Sequence, residues 1–378
     1  MSKVIRHTDI YTGANVIKDG FVRFGSTIEA VGTMDEFKLL ADDEVTDAHG
    51  YVLVPGFIDV HTHGAYGFDT MDGNADEIMQ MVNLIAKNEG VTTIFPTTMT
   101  QSNDAIAKAM AAVNQVAQTN KLIGGVHLEG PFVNPIYKGA QPAQYMQDPS
   151  VELLTQWNEL SGNRIRLVTY APERHQARQF EQFALSHNIV PSVGHSDATR
   201  AQMQASHATH VTHLYNAQRG LGHREPGVTG HAMLEKNMYA ELIADGFHIV
   251  PDMIRFAVNI KGSDRIELIT DSMRSKGMPE GISELGGQKV IVKDKQARLE
   301  DGHLAGSVLT YDDAFRNIID FAQVDIEQAV LMSSVNQARE FGLTQKGSIS
   351  VGKDADFNLF DRGLDLKATY SYGELLSK

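Results

Sequence analysis

The chain contains no cysteine. This excludes disulfides and thiolate ligands, so any bound metal must be held by histidine and carboxylate. No apolar run approaches the ~18 residues of a membrane span. The opening Met1-Ser2-Lys3-Val4-Ile5-Arg6-His7 also lacks the apolar centre of a signal peptide. The expected location is therefore the cytoplasm, with no membrane partner. Positive charge is scarce too: 33 Lys and Arg face 47 Asp and Glu, a formal net charge of −14. That balance argues against nucleic acid as a partner, although a few local cations suffice for a small anion.

What is present fits an α/β enzyme. A chain of 378 residues, 42% hydrophobic, suits a barrel with an accessory domain. Val4 to Ile10, Phe21 to Phe24, Thr27 to Val31 and Tyr51 to Val54 read as short strands between Gly, Asp and Asn turns. At the far end Ala355 to Phe360 alternates like a half-buried strand. Residues 1–54 and 344–378 are thus expected to form one small β-sandwich domain built from both termini.

Between them, residues 55–343 alternate strand and helix. Ile78, Met81, Val82 and Ile85 form a helical stripe closed by Gly90, and Ile106, Met110, Val113 and Ala117 form the next. Strands are expected at Phe57–Val60, Val91–Phe95, Ile123–Leu128, Ile165–Thr169, Ile189–Val193, His210–His213, Tyr239–Ile243 and Ile266–Thr270. Eight such units predict a closed TIM-like (β/α)8 barrel with its active site at the C-terminal strand ends. A doubly wound open sheet is the alternative, but no Gly-x-Gly-x-x-Gly follows the first strand. A β-hairpin insertion is expected near 286–304.

The polar residues gather at those strand ends. The first strand closes on His61-Thr62-His63, and residues i and i+2 of a strand share a side, so one cation could take both imidazoles. Alone such a pair says little. Yet the third strand ends at Glu129, the fifth at His195, the sixth at His213 and the eighth at Asp271, all at one mouth. Histidine and carboxylate without sulfur suit Zn2+, Fe2+, Mn2+ or Co2+, and the sequence does not choose among them.

These residues resemble the amidohydrolase superfamily. More narrowly, six segments resemble the N-acetylglucosamine-6-phosphate deacetylase family: His127-Leu-Glu-Gly-Pro-Phe, Gly194-His-Ser-Asp-Ala-Thr, Thr212-His-Leu-Tyr-Asn-Ala, Arg224-Glu-Pro-Gly, Asp245-Gly-Phe-His248 and Leu304-Ala-Gly-Ser. The likeness runs almost end to end. It implies a barrel of the metal-dependent hydrolase type that converts N-acetylglucosamine 6-phosphate to glucosamine 6-phosphate and acetate.

By the same resemblance, Glu129, His195 and His213 hold the metal common to the family. His61 and His63, with Glu129 bridging and Asp271 near, correspond to a second site found in some members. One or two divalent metals per chain follow, Zn2+ or Fe2+ ahead of Mn2+ or Co2+. Asp271 takes the role of general base and then acid. Ala140, Gln141, Asn216, Ala217, Arg224, His248, Leu304, Ala305 and Gly306 are the implied substrate contacts, with Gln141 a candidate helper for the oxyanion. The resemblance also implies a homodimer with phosphate contacts across its interface. The fourth strand, Arg166-Leu-Val-Thr-Tyr, offers no lysine to be carboxylated as in other superfamily members, which leaves Glu129 to bridge.

Other readings keep the barrel and change the substrate, to a cyclic amide, a dipeptide or a ring to be deaminated. Arg224 and His248 favour a phosphate over these. A non-catalytic sugar-phosphate binding module has no use for a base such as Asp271.

Overall fold

The computed structural model describes residues 2–377. At its centre lie eight parallel strands: β1 (Phe57–Thr62), β2 (Val91–Thr98), β3 (Val126–Glu129), β4 (Ile165–Tyr170), β5 (Val190–Val193), β6 (His210–Val211), β7 (Tyr239–Ile243) and β8 (Ile266–Ile269). Each is hydrogen-bonded to the next, from β1 round to β8. A parallel bridge between Thr62 and Ser272 and a 2.8 Å bond from the Asp271 amide to the His61 carbonyl close the ring. Every residue of β1, β2, β3, β7 and β8 is buried. Helices cover one face of a closed parallel sheet and its own side chains fill the other, so such strands read as apolar runs without alternation.

The helix Ala75–Glu89 forms over the first apolar stripe and buries Ile78, Met81, Val82 and Ile85. The Asn74 side chain caps its start by accepting from the Asp76 amide, and Gly90 ends it in a left-handed conformation, φ 78°. The helix Asn103–Ala117 likewise buries Ile106, Met110 and Val113 behind a Ser102 cap. No described helix is long and apolar enough to cross a membrane.

The two ends of the chain meet in one eight-stranded sheet. Val52–Pro55 from the front pairs antiparallel with Phe357–Phe360 from the back. Phe24 and Phe357 lie three strands apart in that sheet, about 14 Å if it were flat. Their ring centroids are nevertheless 4.8 Å apart. The sheet therefore curls over itself into a sandwich around Ile5, Val22, Phe24, Leu53 and Phe357.

The insertion differs from the expected hairpin over 286–304. It has three antiparallel strands, Gly281–Leu285, Gln288–Lys293 and Gln296–Leu299. Gly286 and Gly287, at φ 57° and 82°, make the two-residue turn that adds the first strand. A turn with both central residues at positive φ matches the twist of a hairpin. The mostly exposed Gly281–Leu285 has no alternating pattern by which to be recognised.

Gly90 carries more than a helix end. A methyl group there would lie 2.7 Å from the Asn358 amide nitrogen, which donates to the Gly90 carbonyl and ties the terminal sheet to the barrel. Left-handed backbone costs an L-residue about 1–2 kcal/mol. Gly90→Ala should therefore lower stability by at least that amount in equilibrium denaturation, and an unchanged midpoint would contradict this account of the junction.

Candidate metal centre

The strand ends bring six donors into one buried cluster. His61 and His63 project from the end of β1 with their Nε2 atoms 3.3 Å apart. Asp271, just past β8, sets Oδ1 3.4 Å from His61 Nε2 and 3.2 Å from His63 Nε2. Glu129, the last residue of β3, places Oε1 3.2 Å from His195 Nε2 and 3.1 Å from His213 Nε2, themselves 3.2 Å apart. Its other oxygen lies 3.3 Å from His63 Nε2. Glu129 thus joins two groups of donors, one of His195 and His213, the other of His61, His63 and Asp271.

These spacings fit a metal. Nitrogen and oxygen donors about 2.0–2.1 Å from a tetrahedral Zn2+ are about 3.3–3.4 Å from one another. The tautomers agree. His195 Nδ1 meets the Tyr137 carbonyl at 2.9 Å and His213 Nδ1 meets the Asn216 carbonyl at 3.1 Å. A carbonyl only accepts, so both rings donate from Nδ1 and can turn a bare Nε2 inward. Lone pairs crowded against a carboxylate at this range need a cation between them, or protons in its place.

The backbone is bent toward the same point. His195, His213 and Asp271 all have positive φ, 49°, 32° and 47°. Left-handed backbone in non-glycine residues is strained and persists where the surroundings over-determine it. Here each of these residues lies just beyond its strand, where the turn re-aims the side chain into the barrel mouth.

Burial alone would raise Glu129. Hydrogen bonds from His195, His213 and His63, with the charge of His61, instead hold it well below the usual carboxylate range. Asp271 is lowered in the same way, burial being outweighed by His61 and His63. Burial opposes a charged His213, yet its hydrogen bond to Glu129 and that carboxylate's charge push it up to about 9. His127 goes the other way: burial and the charge of His61 keep it well below its ordinary value. It bonds Thr169 Oγ1 at 2.7 Å inside the barrel.

Above the donors lies a cavity of about 360 Å3. Ala140, Gln141, Asn216, Ala217, His248, Leu304 and Gly306 line it, as do His63, Glu129, His195, His213 and Asp271. Ala305 is fully buried and does not line it. Gln141 borders the cavity with both amide ends engaged: its nitrogen donates to Glu129 Oε2 at 2.6 Å, and its oxygen accepts from the Thr100 amide at 2.8 Å. It therefore orients the shared carboxylate. His248 Nδ1 is held by Asp245 at 2.6 Å. Met99, just past the end of β2, also lines the cavity, as do Leu285 and His303, whose approach depends on how the three-stranded insertion folds back and so left no mark in the sequence.

Arg224 stands apart. It is exposed on the loop after β6 and does not line the cavity. Its neighbour Glu225 is already occupied by the amides of Arg200 and Gly227, at 2.7 and 2.9 Å. Among the described residues no lysine or arginine lines the cavity.

Comparison with known proteins accords with this geometry. The Amidohydrolase family profile matches residues 52–375. An N-acetylglucosamine-6-phosphate deacetylase of Bacillus subtilis (strain 168) is 37% identical, over 99% of this chain and 97% of its own. One from Lysinibacillus sphaericus is 41% identical over 87% and 86%. A solved N-acetyl-D-glucosamine-6-phosphate deacetylase from Mycobacterium smegmatis, a mutant in complex with N-acetyl-D-glucosamine-6-phosphate, superposes with a TM-score of 0.94 at 28% identity, covering 100% of both chains. The chain belongs to the amidohydrolase family, within its N-acetylglucosamine-6-phosphate deacetylases.

Proposed function

We infer that the protein hydrolyses N-acetylglucosamine 6-phosphate to glucosamine 6-phosphate and acetate. The observation that carries this reading is the shared Glu129 between two histidine sets at the floor of a sugar-sized cavity, in a chain of this family. In this reading Glu129, His195 and His213 would hold one divalent metal, and His61, His63 and Asp271, with Glu129 shared, would hold a second. The sulfur-free donor set suits Zn2+, Fe2+, Mn2+ or Co2+ alike, and only the family resemblance puts Zn2+ or Fe2+ first. When bound, the metal supplies a Lewis acid that polarises the acetamide carbonyl and makes the attacking water more acidic.

The rest of the chemistry falls to the chain. Asp271 borders the cavity and is held in its charged form by the neighbouring imidazoles, so at neutral pH it is ready to accept a proton. It takes that proton from the attacking water and returns it to the departing amine as the carbon–nitrogen bond breaks. Gln141 keeps the Glu129 carboxylate in place, and the backbone of Gly306 and Ala217 allows a close approach of the sugar.

The phosphate calls for a second subunit. No lysine or arginine lines the cavity among the described residues, while Arg224 is exposed and makes no ion pair with an acidic side chain among them. Leu221, on the loop that carries Arg224, and Phe247, Val250, Met253, Phe256 and Ile260, in or just before the helix Pro251–Lys261, expose apolar surface, and His248, next to Phe247, lines the cavity. A homodimer packed on this face would bury it and carry each Arg224 towards the other subunit's cavity.

Three measurements test the reading. In the metal-free protein His213 keeps its proton below pH about 9, so a metal must displace it. Metal affinity should thus rise with pH, by about tenfold per unit below that value for this one group, and metal loading at pH 7 should release protons. An affinity flat between pH 6 and 8 would remove His213 from the ligand set. Asp271→Asn should lower kcat by about 10²–10⁴-fold with KM changed far less, and near-normal turnover assigns the base elsewhere. Arg224→Ala should lower kcat/KM for the phosphorylated sugar by about ten- to a hundredfold, since a hydrogen bond to a charged group is worth ~1.5–3 kcal/mol. Turnover of unphosphorylated N-acetylglucosamine should hardly change, and equal losses on both sugars would make Arg224 structural.

A further inference from the structure

A carboxylate in the wall of a barrel is costly to bury. Glu241, the third residue of β7, is fully buried all the same. No lysine or arginine pairs with it among the described residues. Its Oε2 accepts from His61 Nδ1 at 2.8 Å and from the backbone amide of His213 at 3.0 Å. Its Oε1 lies 3.4 Å from His210 Nε2, and His210 Nδ1 meets Glu340 at 2.9 Å. One oxygen therefore touches a member of each donor group, and the other faces His210 at 3.4 Å without a hydrogen bond.

We propose that Glu241 is a positioning residue that sets both halves of the metal centre at once. Accepting from Nδ1 leaves the bare Nε2 of His61 facing His63 and Asp271. Accepting from the His213 amide holds the left-handed turn that points that ring at Glu129. A residue with no acceptor at this place would release both, although neither contact is to a metal. The inference rests on the ligand assignments given under the proposed function.

Two variants separate orientation from mere filling of space. Glu241→Gln keeps an oxygen for His61 and for the His213 amide, and can turn its NH2 to His210. Glu241→Leu keeps the bulk and removes the acceptor. The readout is Zn2+ retention in purified, Zn2+-loaded protein titrated with a chelator, with no substrate present. Glu241→Leu is expected to lose Zn2+ about 10–100-fold more readily, the range for residues that orient metal ligands, while Glu241→Gln stays near wild type. Wild-type retention in Glu241→Leu, or equal losses in both variants, would overturn the proposal. Should Glu241→Leu not fold, nitrogen-15 NMR of the Zn2+-loaded wild type decides: His61 must carry its proton on Nδ1, and a proton on Nε2 overturns the proposal. A wild type that binds no Zn2+ would instead refute the ligand assignment itself, and that failure shows in the wild type alone.

Discussion

The Glu129 carboxylate sits where four imidazoles converge, and most of the architecture answers to that crowding. Its charge is stabilised by the rings around it, and their bare nitrogens are tolerable only because a cation or protons can lie between. Everything that aims a ring at this point must then be rigid. The barrel provides rigidity through its closed hydrogen-bonding and fully buried strands. Its C-terminal ends provide the convergence, since strands that tilt around a common axis deliver their last side chains to one place.

Precision is added one layer further out. Carbonyls of Tyr137 and Asn216 choose the tautomers of His195 and His213. Gln141 fixes one oxygen of Glu129, and Glu241 reaches both donor groups. Asp271 is tied back through its amide to His61, so the carboxylate and the ring it faces share a backbone bond. Left-handed residues at three donor positions show that this geometry is held against local preference rather than by it.

Much of this was legible in the sequence. Parallel strands buried on both faces are written as apolar runs, and the polar residue that ends each run marks the barrel mouth. The i, i+2 spacing of His61 and His63 is enough by itself to place both on one side of a strand. Other parts had no such mark. Asp43–Asp47 forms a strand by pairing with Ser2–Arg6, although Asp-Glu-Val-Thr-Asp has little intrinsic preference for one. Glu241 carried a weak signal, a charge inside Tyr-Ala-Glu-Leu-Ile, but its partners come from strands far away in sequence. The engagement of Gln141 with Glu129 and the approach of Leu285 to the cavity likewise depend on tertiary packing alone.

The pairing of Val52–Pro55 with Phe357–Phe360 has a consequence for how the protein is made. The front half of the terminal sheet is made first, yet the strand that completes its core follows the entire barrel in the chain. Until then Phe24 and Leu53 lack the apolar partner that covers them. Long-range pairing of this kind is slow to form and leaves strand edges open while it waits. The barrel between can assemble first, but the sheet that joins its two ends can close only once Phe357–Phe360 has been made.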